Sequence, residues 1–182
     1  MAQSPLAADR HPAFIQGVLK SQYHAALAML GQAIERCPNE LWTSDTHPNR
    51  SWHVAYHAVF CAHMYLQVDE SKFVPWERHR ENYQYLGSPP SAPYRPPQLA
   101  QPYEKAEVME YLRACDAMVD SAVDGLDLMS PESGFWWYRM SKLEHQIVNI
   151  RHIQHHAAQL SDRLRVTEGI GPSWIGGRPA AE

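Results

Sequence analysis

An all-α fold, a four-helix bundle with a long crossover between helices 2 and 3, is the class this sequence predicts, and three observations predict it. Four segments carry apolar residues at intervals of three and four, the helical period. No segment shows the apolar-polar alternation of a half-buried strand. The stretch between the second and third periodic segments holds so many prolines that it must be a connection rather than a helix.

The first helix is expected from about Pro12 to Glu35, where Phe14, Ile15, Val18, Leu19, Ala25, Ala26, Met29, Leu30 and Ile34 mark one stripe, and Cys37-Pro38-Asn39 ends it. Thr43-Ser44-Asp45-Thr46-His47-Pro48-Asn49 offers several N-caps for a second helix, expected from about Arg50 to Val68. Pro75, Pro89, Pro90, Pro93, Pro96, Pro97 and Pro102 then exclude a continuous helix, so residues 69–103 form one long connection. Connections of this length inside a compact domain are uncommon and often functional, and Phe73, Trp76, Tyr83, Tyr85 and Tyr94 suit a lid over a site or a partner surface. Periodicity resumes at Val108, Leu112, Cys115, Met118, Val119, Ala122 and Leu126, after an acidic start at Glu104 and Glu107 and with Gly125 near the end. Beyond Ser130-Pro131-Glu132-Ser133-Gly134 a last helix is expected from about Tyr138 to Val166. Leu143, Ile147, Ile150, Ile153, Leu160 and Leu164 should lie on or near its core side, and residues 169–182 should form a C-terminal tail.

A chain of 182 residues suits a single domain spanning 1–182. The 16 basic and 20 acidic residues are interspersed and sum to a net charge of -4, which argues against nucleic acid as a partner. No apolar run reaches the roughly 18 to 20 residues of a spanning helix, so no membrane association is expected. Residues 1–10 lack the charged and apolar regions of a secretory signal. Cys37, Cys61 and Cys115 are odd in number and far apart, which suits free thiols and a reduced, cytoplasmic setting. The unusual features are 11 histidines and 6 tryptophans.

His152 and His156 sit one helical turn apart, about 40° in azimuth, and so project from the same face. His53 and His57 repeat that spacing on the second helix. Facing helices of a bundle are where such folds build metal sites. Two histidines from the last helix and one, His57, from the second would give three nitrogen ligands and leave positions for water or substrate. His145 lies two turns before His152 on nearly the same stripe, His155 is turned toward a flank, and His63 is about 120° from His57 and is not expected to be a ligand. His53 reads equally as a fourth ligand, a supporting donor or an exposed residue. Cys61, one turn beyond His57, is either a soft ligand or nucleophile or, as free cysteines more often are, a small buried hydrophobe. Gln159 and Arg163 could reach a ligand. Trp52, Trp136, Trp137 and Trp174 are expected as packing anchors, and His11, His24, His47 and His79 carry no expected role.

The segments Ser51-Trp52-His53-Val54-Ala55-Tyr56-His57-Ala58 and Asn149-Ile150-Arg151-His152-Ile153-Gln154-His155-His156-Ala157-Ala158-Gln159-Leu160 together resemble the DinB-like superfamily. That is a family of metal-binding helical bundles, distinct from the DNA polymerase of the same name. The resemblance implies a four-helix bundle, often a homodimer, holding zinc or nickel through one histidine of the second helix and a spaced pair in the last. Carried over, the ligands are His57, His152 and His156. Ala157-Ala158 stands where the family commonly has glycine or arginine before the position of Gln159, which leaves the ligands intact and the neighbouring pocket open to difference.

Such a scaffold does not settle chemistry. The leading expectation is a metal-dependent enzyme activating water or a low-molecular-weight thiol, of the hydrolase or thiol S-transferase class. Glu144 and Asp162 lie near the histidine run, but neither is placed firmly enough to be named an acid or base. The alternatives are a noncatalytic, stress-associated module that binds metal or ligand, and a structural homodimer with a polar histidine core.

Overall fold

The computed structural model describes residues 10–87, 95 and 97–179, and among them every regular element is helical. Tyr94, Pro89, Pro90, Pro93 and Pro96 of the long connection, and residues 1–9, lie outside the described residues. The elements are α1 (Arg10–Arg36), α2 (Asn39–Thr43), α3 (Ser51–Tyr65), a 3-10 turn (Glu70–Lys72), α4 (Lys105–Asp124) and α5 (Lys142–Glu168). α1 and α3 each pack against both α4 and α5, so α1 and α3 stand diagonally across a shared core.

α1 buries Tyr23, Leu27, Leu30 and Ile34 completely, the residues of one 3.6-period stripe. Phe14 and Val18, earlier in the same helix, remain exposed. Pro38 stops α1 and opens the one-turn α2, an element not expected from periodicity because it is too short to show any. Its Trp42 is buried and donates its indole N–H to the Tyr103 carbonyl at 2.9 Å.

α3 is buried on almost every face. It has no polar side because the connection after it folds back over it, with Tyr103 stacked on Tyr56 at 4.4 Å between ring centroids. The helix ends at Tyr65, three residues before the expected Val68, whose carbonyl instead accepts from Lys142 Nζ at 2.6 Å. α4 starts as its acidic residues predict, with the Glu107 carboxylate accepting from the Glu104 N–H at 2.8 Å, a closure worth about 1 kcal/mol.

α5 begins at Lys142 rather than Tyr138. Ser141 caps it by accepting from the Glu144 N–H at 3.3 Å, and the residues before it form a loop pinned to the end of α3. The pins are buried Lys142, which also donates to the Ser133 carbonyl, and the Gly134 carbonyl, which accepts from the Glu70 N–H at 3.1 Å. Gly134 is required here: its φ is 86°, and a Cβ would stand 2.4 Å from the Val68 carbonyl oxygen. α5 closes on Gly169 at φ 67°, a left-handed cap. Beyond it the tail runs back along α1, where the Ser173 N–H donates to Gln32 at 2.8 Å and Arg178 pairs with Asp120 at 2.9 Å.

Ile147, expected near the core, is exposed, since it stands about 180° around α5 from buried His156. The inward stripe of α5 is mixed: Ile153, Leu160 and Leu164 are buried as expected, and His145, Gln146, Asn149 and His156 are buried with them. Gln146 and Asn149 donate to the Tyr65 and Ala62 carbonyls at the end of α3, at 3.1 and 3.2 Å. The three cysteines are free and buried. Among the described residues no helix is long and apolar enough to cross a membrane.

Candidate metal centre

α3 and α5 pack together, and their helical spacing brings His57, His152 and His156 to one point. His152 Nε2 lies 3.1 Å from His57 Nε2 and 3.0 Å from His156 Nε2. Tetrahedral ligands about 2.0–2.1 Å from an ion stand roughly 3.3 Å apart, so modest spreading of the three nitrogens would admit a divalent cation between them.

Hydrogen bonds at the far ring atoms set the tautomers. His57 Nδ1 donates to the Gln84 carbonyl at 2.6 Å, and His156 Nδ1 donates to Gln159 Oε1 at 2.8 Å. A carbonyl only accepts, so each ring carries its proton on Nδ1 and turns the Nε2 lone pair toward the cluster. His152 differs: its Nδ1 is buried and has no hydrogen-bond partner among the described residues. Burial pushes all three rings down to about 3, with mutual repulsion among them as a further cause. They are therefore neutral at physiological pH, the form that ligates metal.

The neighbouring residues sort cleanly. His53 is buried rather than exposed, and it donates from Nε2 to the Tyr83 carbonyl at 2.9 Å instead of joining the three. His63 meets the Tyr111 hydroxyl at 2.9 Å, away from the cluster. His145 is fully buried among the rings of Tyr65, Phe135 and Tyr138, and neither of its nitrogens has a hydrogen-bond partner among the described residues. His155 is exposed and accepts from the Gln159 amide at 3.2 Å. Gln159 thus bridges two histidines, and Arg163 donates to Ser51 Oγ at 3.2 Å. Glu144 and Asp162 are exposed. Cys61 Sγ lies 3.8 Å from His57 Nε2, and burial pushes its thiol up to about 12, which keeps it protonated and a poor nucleophile.

A cleft of ≈ 700 Å³ opens beside the cluster, with His57 and Cys61 in its lining. Glu70 and His79 share that lining, and neither was singled out by the sequence. His79 also meets the Tyr56 hydroxyl at 2.6 Å. Of the tryptophans, Trp52 is a buried anchor as expected, but Trp136 and Trp174 are exposed, and Trp136 and Trp137 line the cleft. The connection does cover this region: its Tyr83 and Gln84 carbonyls hold His53 and His57, while Trp76 stacks on Tyr111 at 4.7 Å.

Compared with known proteins, the chain matches no family model, no curated protein and no solved structure.

Proposed function

We propose that this chain is a four-helix bundle of the DinB-like type in which His57, His152 and His156 hold a divalent ion, zinc or nickel, for hydrolytic or thiol S-transfer chemistry. The observation that carries the reading is the convergence of three Nε2 atoms, two of them locked as lone-pair donors by the Gln84 carbonyl and Gln159. The bundle assignment is supported by the pairing of α1 and α3 each with α4 and α5. A bound ion would lower the pKa of a coordinated water toward about 7, or hold a low-molecular-weight thiol as thiolate. The chain's own residues orient the ligands, and Glu70 is the acidic side chain in the adjoining cleft. A homodimer in a reducing, cytoplasmic setting completes the proposal, and the three free buried thiols support the redox part of it.

One observation favours a second reading, a noncatalytic, stress-associated module that binds metal or ligand. Among the described residues the three clustered rings hydrogen-bond to a backbone carbonyl, an amide, each other and a protonated thiol, with no carboxylate or other acid or base. Slow-exchanging metal with no coordinated water would support that reading over the enzyme.

Elemental analysis of untagged protein, dialysed against zinc or nickel and then buffer without chelator, tests the site. About one ion per chain is expected, lost in His57→Ala, His152→Ala and His156→Ala and kept in His47→Ala. Equal retention in all four variants, or no metal in the parent, would sink the assignment.

A further inference from the structure

We propose that the cleft beside the histidine cluster selects a substrate with an aromatic body, uncharged or cationic, that presents a small metal-binding head to His57, His152 and His156. The inference rests on the metal reading above and assigns the substrate class for it. The cleft floor reaches the cluster, since Cys61 lines the cleft and its sulfur is 3.8 Å from His57 Nε2. Its walls are the rings of Phe60, Tyr65, Phe73, Tyr85, Trp136 and Trp137. At ≈ 700 Å³ it lies within the range of small-molecule sites, with room for a fused-ring body.

Two features decide the class. First, large aromatic surface is left uncovered at the cleft: Trp136 is 77% exposed, Tyr85 56% and Trp137 36%. Trp136 and Trp137 stand at 88° with centroids 5.4 Å apart, so they offer a face and an edge to an incoming ring. Their loop is held by the Gly134 and Lys142 contacts to the end of α3, so the rings are presented on a fixed support. Second, the charge is one-sided. Among the described lining residues there is no lysine or arginine, while Glu70 supplies a carboxylate. An anionic body would meet that carboxylate with no partner; a neutral or cationic ring would not.

Protein loaded with cobalt(II), whose visible spectrum reports its ligands, tests this with three hydroxamic acids that share one metal-binding head. 2-Naphthohydroxamic acid is expected to bind about tenfold or more tighter than acetohydroxamic acid, from burying roughly 60 Å² of aryl surface. 4-Carboxybenzohydroxamic acid is expected to bind no tighter than the acetyl compound. In the Trp136→Ala/Trp137→Ala double variant the naphthyl preference should fall to about twofold with the cobalt spectrum unchanged, and in Trp136→Ala alone, a change at an exposed side chain, it should fall part of the way. Equal affinity for the naphthyl and acetyl compounds, a preference that survives the double variant, or tight binding of the carboxylate would overturn the assignment. A protein that binds no cobalt would overturn the metal reading itself, an outcome visible before any hydroxamate is added.

Discussion

Lowering the pH from 8 to 5.5 in the presence of chelator is expected to remove on the order of 5 kcal/mol of folding stability. Five histidines are held neutral inside the protein. Burial is the largest cause in each case, pushing His53 and His145 down to about 4 and His57, His152 and His156 to about 3. In the unfolded chain each returns to about 6.5. Below that value the unfolded chain binds more protons than the folded one, so stability is complete above pH 6.5 and declines as pH falls toward the folded values. Between pH 8 and 5.5 the contribution of each such ring falls by about 1.4 kcal/mol in all, about 1 kcal/mol of it below pH 6.5. The facing nitrogens of the cluster can share one proton, so two of its three rings are counted, with His53 and His145 in full. The result is comparable to the whole stability of an ordinary domain, about 5–15 kcal/mol. Urea unfolding followed by far-UV circular dichroism at pH 8, 7, 6 and 5.5 measures it. A free energy flat to within about 1 kcal/mol across that range would refute the burial of neutral imidazoles.

Two substitutions test the support of the cleft. Gly134→Ala, which brings a Cβ against the Val68 carbonyl at positive φ, should cost about 2–3 kcal/mol, whereas Gly17→Ala, with open space around it on helix α1, should stabilise by about 0.5–1 kcal/mol; thermal unfolding compares them. Lys142→Met leaves the Val68 and Ser133 carbonyls without their donor and should cost about 2–3 kcal/mol, with a change in tryptophan emission as the Trp136–Trp137 loop loosens; unchanged urea midpoint and emission would contradict that role.

What the sequence made legible is what helical periodicity encodes. The order of the long helices follows from four periodic segments, the ends of α4 from Glu104, Glu107 and Gly125, and the shared faces of His53 with His57 and of His152 with His156 from 100° per residue. The cleft does not follow from any period. It is made by residues from α3, from the connection and from the loop before α5, and the proximity of Glu70, His79 and Trp136 to His57 is set by how irregular chain packs. The start of α5 was misplaced because Tyr138 continues the apolar pattern. The hydrogen bonds of Lys142 and Ser141 instead hold residues up to 141 in a loop, a choice made by buried carbonyls that need donors. Ile147 was misplaced for a related reason: polar residues share the inward stripe of α5 with Ile153, Leu160 and Leu164, so an apolar residue in the early turns need not lie on that stripe.

The polar residues of that stripe fall into two groups. Gln146 and Asn149 stabilise the fold: Gln146 donates to the Tyr65 carbonyl at the end of α3, and Asn149 adds a second donor to the Ala62 carbonyl, which the Leu66 N–H also reaches. His152 and His156, one and two turns further on, do nothing of the kind. With no cation present, His152 must place its proton on Nε2 to answer one facing lone pair, which leaves the lone pair of the other ring unanswered. A buried unsatisfied nitrogen costs about 1–3 kcal/mol, and three neutral imidazoles together lose stability with each step toward acid. His57 and His156 already hold the tautomer that ligation needs, so a cation would require only the His152 proton to move from Nε2 to Nδ1. A stripe built for stability alone would continue with amides or aliphatic side chains at 152 and 156. Three rings aimed at one point, two of them fixed in the ligating tautomer, make physical sense where a positive charge sits between them.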